Sequence, residues 1–394
     1  MVSTVSNPAG GWGKGLRGFY ARVTEGMAMG ELWAQFKADT RSGYDFYARD
    51  VDWASFKDLP GWKRFLKVAW AFFLAMLMHL SPVRRVILLV SLCLVVLGIP
   101  NVTVQPSSSG PGWRITAENS ALTLYGALGL FLLLALELAD RVVMKRDLQI
   151  AREIQHWLVP AKPPVVPGLD IAFTTRPANT VGGDFYDVIV QKSETGAAGE
   201  KVLLVVADVA GKSVPAALLM ATFQASLHAL TGAASSLSDL VSRMNRSACT
   251  RSMGGQRFTT AFFAELAPPT GRLVFINAGH NYPFLRRSDG SVEVLTAGGV
   301  PLGIQAEAEY VCGERVMEEG DLLLVYTDGL VEAVDGRDQE FGEERLRSLV
   351  ETAGTVSAGE FLERVRLAVD RHVGETRQYD DMTWLVVRRL GPAA

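Results

Sequence analysis

The rhythm of apolar and polar positions changes along this chain. Up to residue 62 they are mixed, with scattered aromatics such as Trp12, Trp33, Tyr44, Tyr47 and Trp53. No period emerges there, so residues 1–62 read either as a cytosolic segment lying on a membrane surface or as a flexible leader. From 68 to 139 the apolar positions run together. The stretches 86–104 and 120–139 each approach the ~20 residues that cross a bilayer. The stretch 68–80 is shorter and follows Lys63, Arg64 and Lys67, which predicts an interfacial helix. Arg84 and Arg85 precede the first span, and Arg141, Lys145 and Arg146 follow the second. The positive-inside rule then predicts a membrane region at 63–139, a two-span hairpin with both ends cytoplasmic and a polar outer loop at 105–119.

Residues 140–160 carry a helical pattern. Val143, Met144, Leu148, Ala151, Ile154 and Leu158 recur at spacings of three and four, and Pro160, Pro163 and Pro164 end the run. Such a linker helix either carries a signal or dimerises, or it packs its apolar stripe on the next domain.

Beyond Gly168 the pattern becomes short apolar runs punctuated by Gly, Asn and Asp. Strands are predicted at 169–174, 184–191, 202–208, 257–266, 272–277, 282–287, 292–296, 310–317, 321–327 and 382–388. Helices are predicted at 214–230, 235–252, 341–352 and 357–372. Strands cluster in runs separated by helix pairs, without βαβ alternation. This predicts one α+β domain over 161–394, with antiparallel sheets flanked by helices.

The candidate chemistry lies at strand ends. Val202–Ala207 is apolar throughout, as a strand buried on both faces must be, and Asp208 follows it directly. Gly211 permits a tight turn, Ser213 is the expected N-cap of the next helix, and Pro215 falls in its first turn. Leu322–Thr327 repeats this logic and ends in Asp328-Gly329, while Asp184 and Asp380 each precede a predicted strand. One Asp-Gly pair is an ordinary turn. Four acids recurring at strand edges, with no His or Cys among them, suit a hard cation such as Mg²⁺ or Mn²⁺ rather than zinc.

Composition narrows the picture little further. The net charge of −3 gives no sign of nucleic-acid binding. Three cysteines without CxxC spacing, Cys93, Cys249 and Cys312, point to neither a disulfide framework nor a zinc site.

Several motifs carry a resemblance. They are Ala151-Arg152-Glu153-Ile154-Gln155 with Leu158-Val159-Pro160, Gly182-Gly183-Asp184-Phe185-Tyr186-Asp187, and Ala207-Asp208-Val209-Ala210-Gly211-Lys212. Phe258-Thr259-Thr260-Ala261-Phe262, Asn277-Ala278-Gly279-His280-Asn281, Tyr326-Thr327-Asp328-Gly329-Leu330 and Asp380-Asp381-Met382-Thr383 follow in order. Over residues 148–389 the chain resembles the metal-dependent serine/threonine protein phosphatases of the PPM (type 2C) class, in their SpoIIE/RsbU branch. The resemblance implies an α-β-β-α sandwich of two antiparallel sheets holding two Mn²⁺ or Mg²⁺ ions. It implies that Asp208 bridges both ions and the Val209 carbonyl ligates one. Asp328 and Asp380 complete the other, and Asp184 is a direct ligand or stands one step behind. The catalytic residues would then be Asp208, Asp328 and Asp380. Ala210 stands where eukaryotic members carry a His proposed as general acid; His280 is a conceivable substitute, although a structural role fits its turn better. Arg176 is a candidate for phosphate, or simply an exposed loop residue.

The resemblance further implies hydrolysis of phosphoserine or phosphothreonine on a regulatory protein, namely a STAS-domain anti-sigma-factor antagonist, by metal-activated water. The setting would be a bacterial cytoplasmic membrane with the catalytic domain in the cytoplasm, and the linker helix 140–158 would allow a homodimer. Two other classes compete. One is a phosphatase-like binding module without turnover, against which the retained acids argue. The other is a nucleotide cyclase suggested by Gly182-Gly183-Asp184, against which Phe185 stands where that signature needs an acid.

Overall fold

In a computed structural model, residues 61–98, 102–106, 113–117, 121–191, 201–250 and 257–391 are described; the expectation for residues 1–60 lies outside them. The chain divides into two compact units, Met1–Arg141 and Val142–Ala394.

In the first unit, α1 (Gly61–His79) contains the predicted interfacial stretch, and α2 (Pro82–Leu97) starts on the expected Arg84-Arg85 pair. The expected span at 86–104 is corrected. The helix stops at Leu97, where the Gly98 N–H closes onto the Leu94 carbonyl at 2.9 Å, and Pro100 follows. Hydropathy runs on past this point, but Gly and Pro end helices whatever the hydropathy. At 16 residues α2 is about 24 Å long, short of the ~30 Å hydrocarbon core. The loop expected at 105–119 is also revised. β1 (Val102–Pro106) pairs antiparallel with β2 (Trp113–Ala117) as a hairpin.

α3 (Ala121–Leu158) joins the second apolar run and the linker in one 38-residue helix, whose residues 142–158 fall in the second unit. α2 and α3 approach closely through small residues. A Cβ on Gly126 would stand 2.6 Å from Val95 Cγ2 and 2.7 Å from the Ser91 carbonyl, and one on Gly129 would clash with the Ser91 hydroxyl. Arg84 pairs with Glu137 at 3.0 Å and Asp140 at 2.6 Å, which satisfies the acids that interrupt the apolar face.

The second unit is a mixed α+β fold. In chain order β3 (Leu169–Arg176), β4 (Phe185–Gln191) and β5 (Lys201–Val209) lead to α4 (Ser213–Thr231) and α5 (Leu237–Cys249). Next come β6 (Thr259–Ala267), β7 (Arg272–Ala278), β8 (Phe284–Arg286), β9 (Val292–Val294), β10 (Gly298–Gly299) and β11 (Gly313–Val316). β12 (Leu322–Tyr326), α6 (Asp328–Val331), α7 (Glu343–Glu351), α8 (Ala358–Val373) and β13 (Met382–Arg389) finish the unit. One sheet has the order β10-β7-β6-β5-β4 with β11 also on β7, and the other β3-β13-β12-β8-β9. All pairings are antiparallel except the two-residue β10–β7 contact.

Side-chain alternation explains the layers. On β5, Val202, Leu204 and Val206 join a core shared with Leu323 and Val325 of β12 and Leu385 and Val387 of β13. Leu203, Val205 and Ala207 face the opposite way, into a core with Met220, Leu227, Leu240 and Met244 of α4 and α5. Leu322, Leu324, Tyr326, Trp384 and Val386 likewise face Leu346, Phe361 and Val365 of α7 and α8. Both faces of the central strands are dry, which is why their sequences run apolar without a break. The result is helices, sheet, sheet, helices.

Candidate metal centre

Antiparallel pairing determines where the acids meet. Phe185 of β4 faces Ala207 of β5, so Asp184, just before β4, lies beside Asp208, near the end of β5. Tyr326 of β12 faces Trp384 of β13, so Asp328 and the pair Asp380-Asp381 emerge at a common end of the other sheet. The sheets present these ends to each other. The Thr327 hydroxyl, after β12, donates to Asp184 Oδ2 at 2.8 Å across the sandwich, and the Thr383 N–H donates to the same Thr327 oxygen at 2.9 Å. Asp184, Asp208, Asp328 and Asp380 are therefore brought together.

The electrostatics of a crowded, partly dry site follow. Burial first, and then the charges of Asp328, Asp380 and Asp381, push Asp208 up to about 7. Asp184 is raised well above the usual carboxylate range by burial and then by Asp208. Burial and then Asp380 raise Asp328. Among the described residues, however, no three His, Cys, Asp or Glu side chains close into a finished ligand set.

The residues fit hard divalent cations. Their donors are anionic oxygens in a partly desolvated setting, and a backbone carbonyl accompanies them. The Val209 carbonyl stands only 2.8 Å from where a Cβ on Gly183 would be, and Asp208 Oδ1 3.5 Å from it. Any side chain at Gly183 would invade this cradle.

Two residues here escaped sequence reasoning. Asp381 accepts from the Ala178 N–H with Oδ1 and from the Gly183 N–H with Oδ2, both at 2.7 Å, and so pins the loop that presents Asp184. A Cβ on Gly182 would strike that same carboxylate. Lys212 Nζ pairs with Asp380 Oδ2 at 2.9 Å and donates to the Tyr379 carbonyl at 2.9 Å. Both stand in motifs that carry the family resemblance, but neither motif shows what its side chain holds.

Other expectations are revised. Ser213 does not cap α4; Lys212 holds the N-cap position without a side-chain cap bond, and Ser213 has φ of 63°. Arg176 is paired with Asp370 at 2.7 Å and is not free for phosphate. His280 is buried, as a structural role requires, and its Nδ1 lies 3.0 Å from the Thr260 hydroxyl. Burial lowers its pKa to about 4, so at neutral pH it is the neutral imidazole rather than the imidazolium a general acid would need. Phe185 is buried against Phe223, which leaves the cyclase reading without its acid.

Residues 198–390 match the family model for stage II sporulation protein E (SpoIIE). Phosphoserine phosphatase RsbU of Bacillus subtilis is 27% identical over 249 residues, covering 62% of this chain and 71% of RsbU. Protein IcfG of Synechocystis is 25% identical over 283 residues, 65% of this chain but only 43% of IcfG. The solved SiaA-PP2C domain of Pseudomonas aeruginosa, 22% identical, shares the fold with a TM-score of 0.54 over 64% of this chain and 99% of that domain. The chain carries a SpoIIE/RsbU-like PPM phosphatase domain. Its class is that of the divalent-metal-dependent protein serine/threonine phosphatases.

The crowding predicts a pH dependence. A carboxyl raised to about 7 contributes stability below its ordinary value and loses it as pH rises through 7. The Tm of the metal-free protein is expected to fall between pH 5 and pH 8. Asp208→Asn should flatten that fall by on the order of 1 kcal/mol per pKa unit relieved. Mn²⁺ should raise the wild-type Tm at pH 8 and move the variant far less. Differential scanning calorimetry checks all three.

Proposed function

We propose that this chain is a membrane-anchored phosphatase that hydrolyses phosphoserine or phosphothreonine on a regulatory protein, a STAS-domain anti-sigma-factor antagonist. The observation that supports it most is the meeting of Asp184, Asp208, Asp328 and Asp380 from the ends of two sheets beside the Val209 carbonyl. In this reading Asp208, the Val209 carbonyl, Asp328 and Asp380 would together hold two Mn²⁺ or Mg²⁺ ions. When bound, the ions supply neutralisation of the phosphate and an activated water. Asp184 is oriented by Thr327, and Asp381 keeps the Gly182-Gly183 loop against Val209. Lys212 balances Asp380. Ala210 supplies no proton, so the leaving oxygen takes its proton from solvent or from the substrate.

The substrate class rests on likeness to RsbU, and the coverage of IcfG leaves over half of that relative unmatched. Membrane anchoring is supported by α3, whose Leu124, Leu128, Phe131, Leu132 and Leu134 are exposed. Among the described residues α4 is the other helix long and apolar enough to cross, but Met220, Phe223 and Leu227 commit it to the domain core. α2 would complete the hairpin, with the bilayer thinning locally to match its short length. A homodimer through residues 140–158 is supported by Val143, Met144, Ile154 and Trp157, which are exposed rather than packed on the domain.

Two experiments test this. Asp208→Ala and Asp328→Ala should each reduce Mn²⁺-dependent release of phosphate from a phosphorylated STAS protein by at least about 100-fold, since a site that works as a unit fails as one. Activity surviving both would refute the assignment. In membrane vesicles with the catalytic domain outward, a polar maleimide should label the exposed Cys312 and spare Cys93 on α2 until detergent is added. Equal labelling of both would remove the case for a hairpin in lipid.

A further inference from the structure

A phosphomonoester arrives as a dianion at a site lined with carboxylates, so a protein cation is needed to receive it. Of the basic side chains around the cluster, Arg152 and Arg377 are exposed, and two others are engaged. Arg176 is paired with Asp370, and Lys212 is held by Asp380 and the Tyr379 carbonyl. Arg257 is different. Among the described residues its guanidinium makes no hydrogen bond or ion pair, although the residue is half-buried. We propose that Arg257 receives the phosphoryl group of the substrate, an assignment that rests on the phosphatase reading above.

The backbone fixes Arg257 in place. Val209 faces Thr259 in the β5–β6 register, and the Ala210 N–H donates to the Phe258 carbonyl at 3.0 Å. Thr259 is held on its other side by Leu302, with N–H···O bonds of 2.9 and 2.8 Å in the two directions. Arg257 therefore lies directly alongside the turn that follows Asp208. Its Nη1 is 3.3 Å from where a Cβ on Gly211 would stand, and Gly211 has φ of 120°, which side-chain-bearing residues rarely adopt. A larger residue at 211 would have to take an unfavourable backbone and would crowd the guanidinium.

The same turn opens α4, a 19-residue helix whose N-cap Lys212 forms no side-chain cap bond. Orphan N–H groups and the positive end of that helix thus lie beside Arg257. The side chain also lines an open cleft with Thr222, Ser226 and Phe258, a cleft that none of the four acids lines, so it is open to solvent. A planar guanidinium presents two parallel N–H donors to two phosphate oxygens, a fit that a carboxylate-lined site cannot otherwise offer. Arg257 thereby favours a dianionic monoester over a diester, which has one charge fewer.

The test uses the full chain in detergent with saturating Mn²⁺ and inorganic phosphate as the probe. Phosphate binding is measured by calorimetry and as product inhibition for wild type, Arg257→Ala, Arg257→Lys and Arg176→Ala. Mn²⁺ binding is titrated for each, to show that the site is folded. Arg257→Ala should weaken phosphate and raise KM by about 10- to 100-fold, the worth of a charge-assisted pair, with Mn²⁺ affinity unchanged. Arg257→Lys should recover part of the loss, and Arg176→Ala should match wild type. Equal phosphate affinity in wild type and Arg257→Ala, with Mn²⁺ bound in both, overturns the assignment while leaving the phosphatase reading intact. Absence of Mn²⁺-dependent hydrolysis by wild type would instead sink that reading, and the calorimetric comparison would still decide Arg257.

Discussion

Carboxylates forced together at the meeting ends of two sheets are the constraint on which this domain depends. Desolvation alone raises an acid's pKa, and each neighbouring acid raises it further, so the arrangement is costly without a cation. Asp184 is raised well above its usual range chiefly by burial, and Asp208 also by the charges of Asp328, Asp380 and Asp381. The sandwich core supplies the rigidity that holds the cluster against its own repulsion. β5, β12 and β13 are dry on both faces, and the core they share holds the strand ends that carry Asp208 and Asp328.

A buried acid at the far end of β12 shows what an ordinary solution looks like. Asp321 is fully buried, but Arg287 pairs with it at 2.8 Å, and the Ser288 and Glu318 N–H groups each donate to it at 2.9 Å. Every lone pair of consequence is answered within the protein. Asp208 receives nothing comparable: its one helpful protein charge is Lys212, the smallest of the influences on it. The two ends of one strand thus separate an acid that holds structure from an acid that awaits a cation.

Much of this was legible in the chain. Strands buried on both faces write themselves as unbroken apolar runs, and an acid directly after such a run has few structural excuses. What stayed hidden depended on distant partners or on local stereochemistry. Asp381 matters because amides of residues 178 and 183, some two hundred positions away, point at it. Arg257 is significant only for lacking the partner that Arg176 has. The first membrane run was overextended because hydropathy counts Gly98 and Ile99 as apolar while the backbone treats Gly98 as a stop. The β1–β2 hairpin has no strong turn dipeptide within its paired residues, and its polar content read as loop.

The linker helix is part of the site's frame rather than a tether to it. Gln155 accepts from the Gly182 N–H at 3.1 Å and donates to the Gly182 carbonyl at 2.7 Å, a two-way bond to the residue just before the cradle. Asp381 holds the neighbouring Gly183 from the other side. The loop that presents Asp184 is therefore gripped between α3 and β13, and its position depends on both. Gln155 is a polar residue on a helix whose flanking Ile154 and Trp157 face solvent. Whatever covers those apolar side chains would fix the helix that carries Gln155. Displacing the helix that carries Gln155 would break both of its bonds to Gly182.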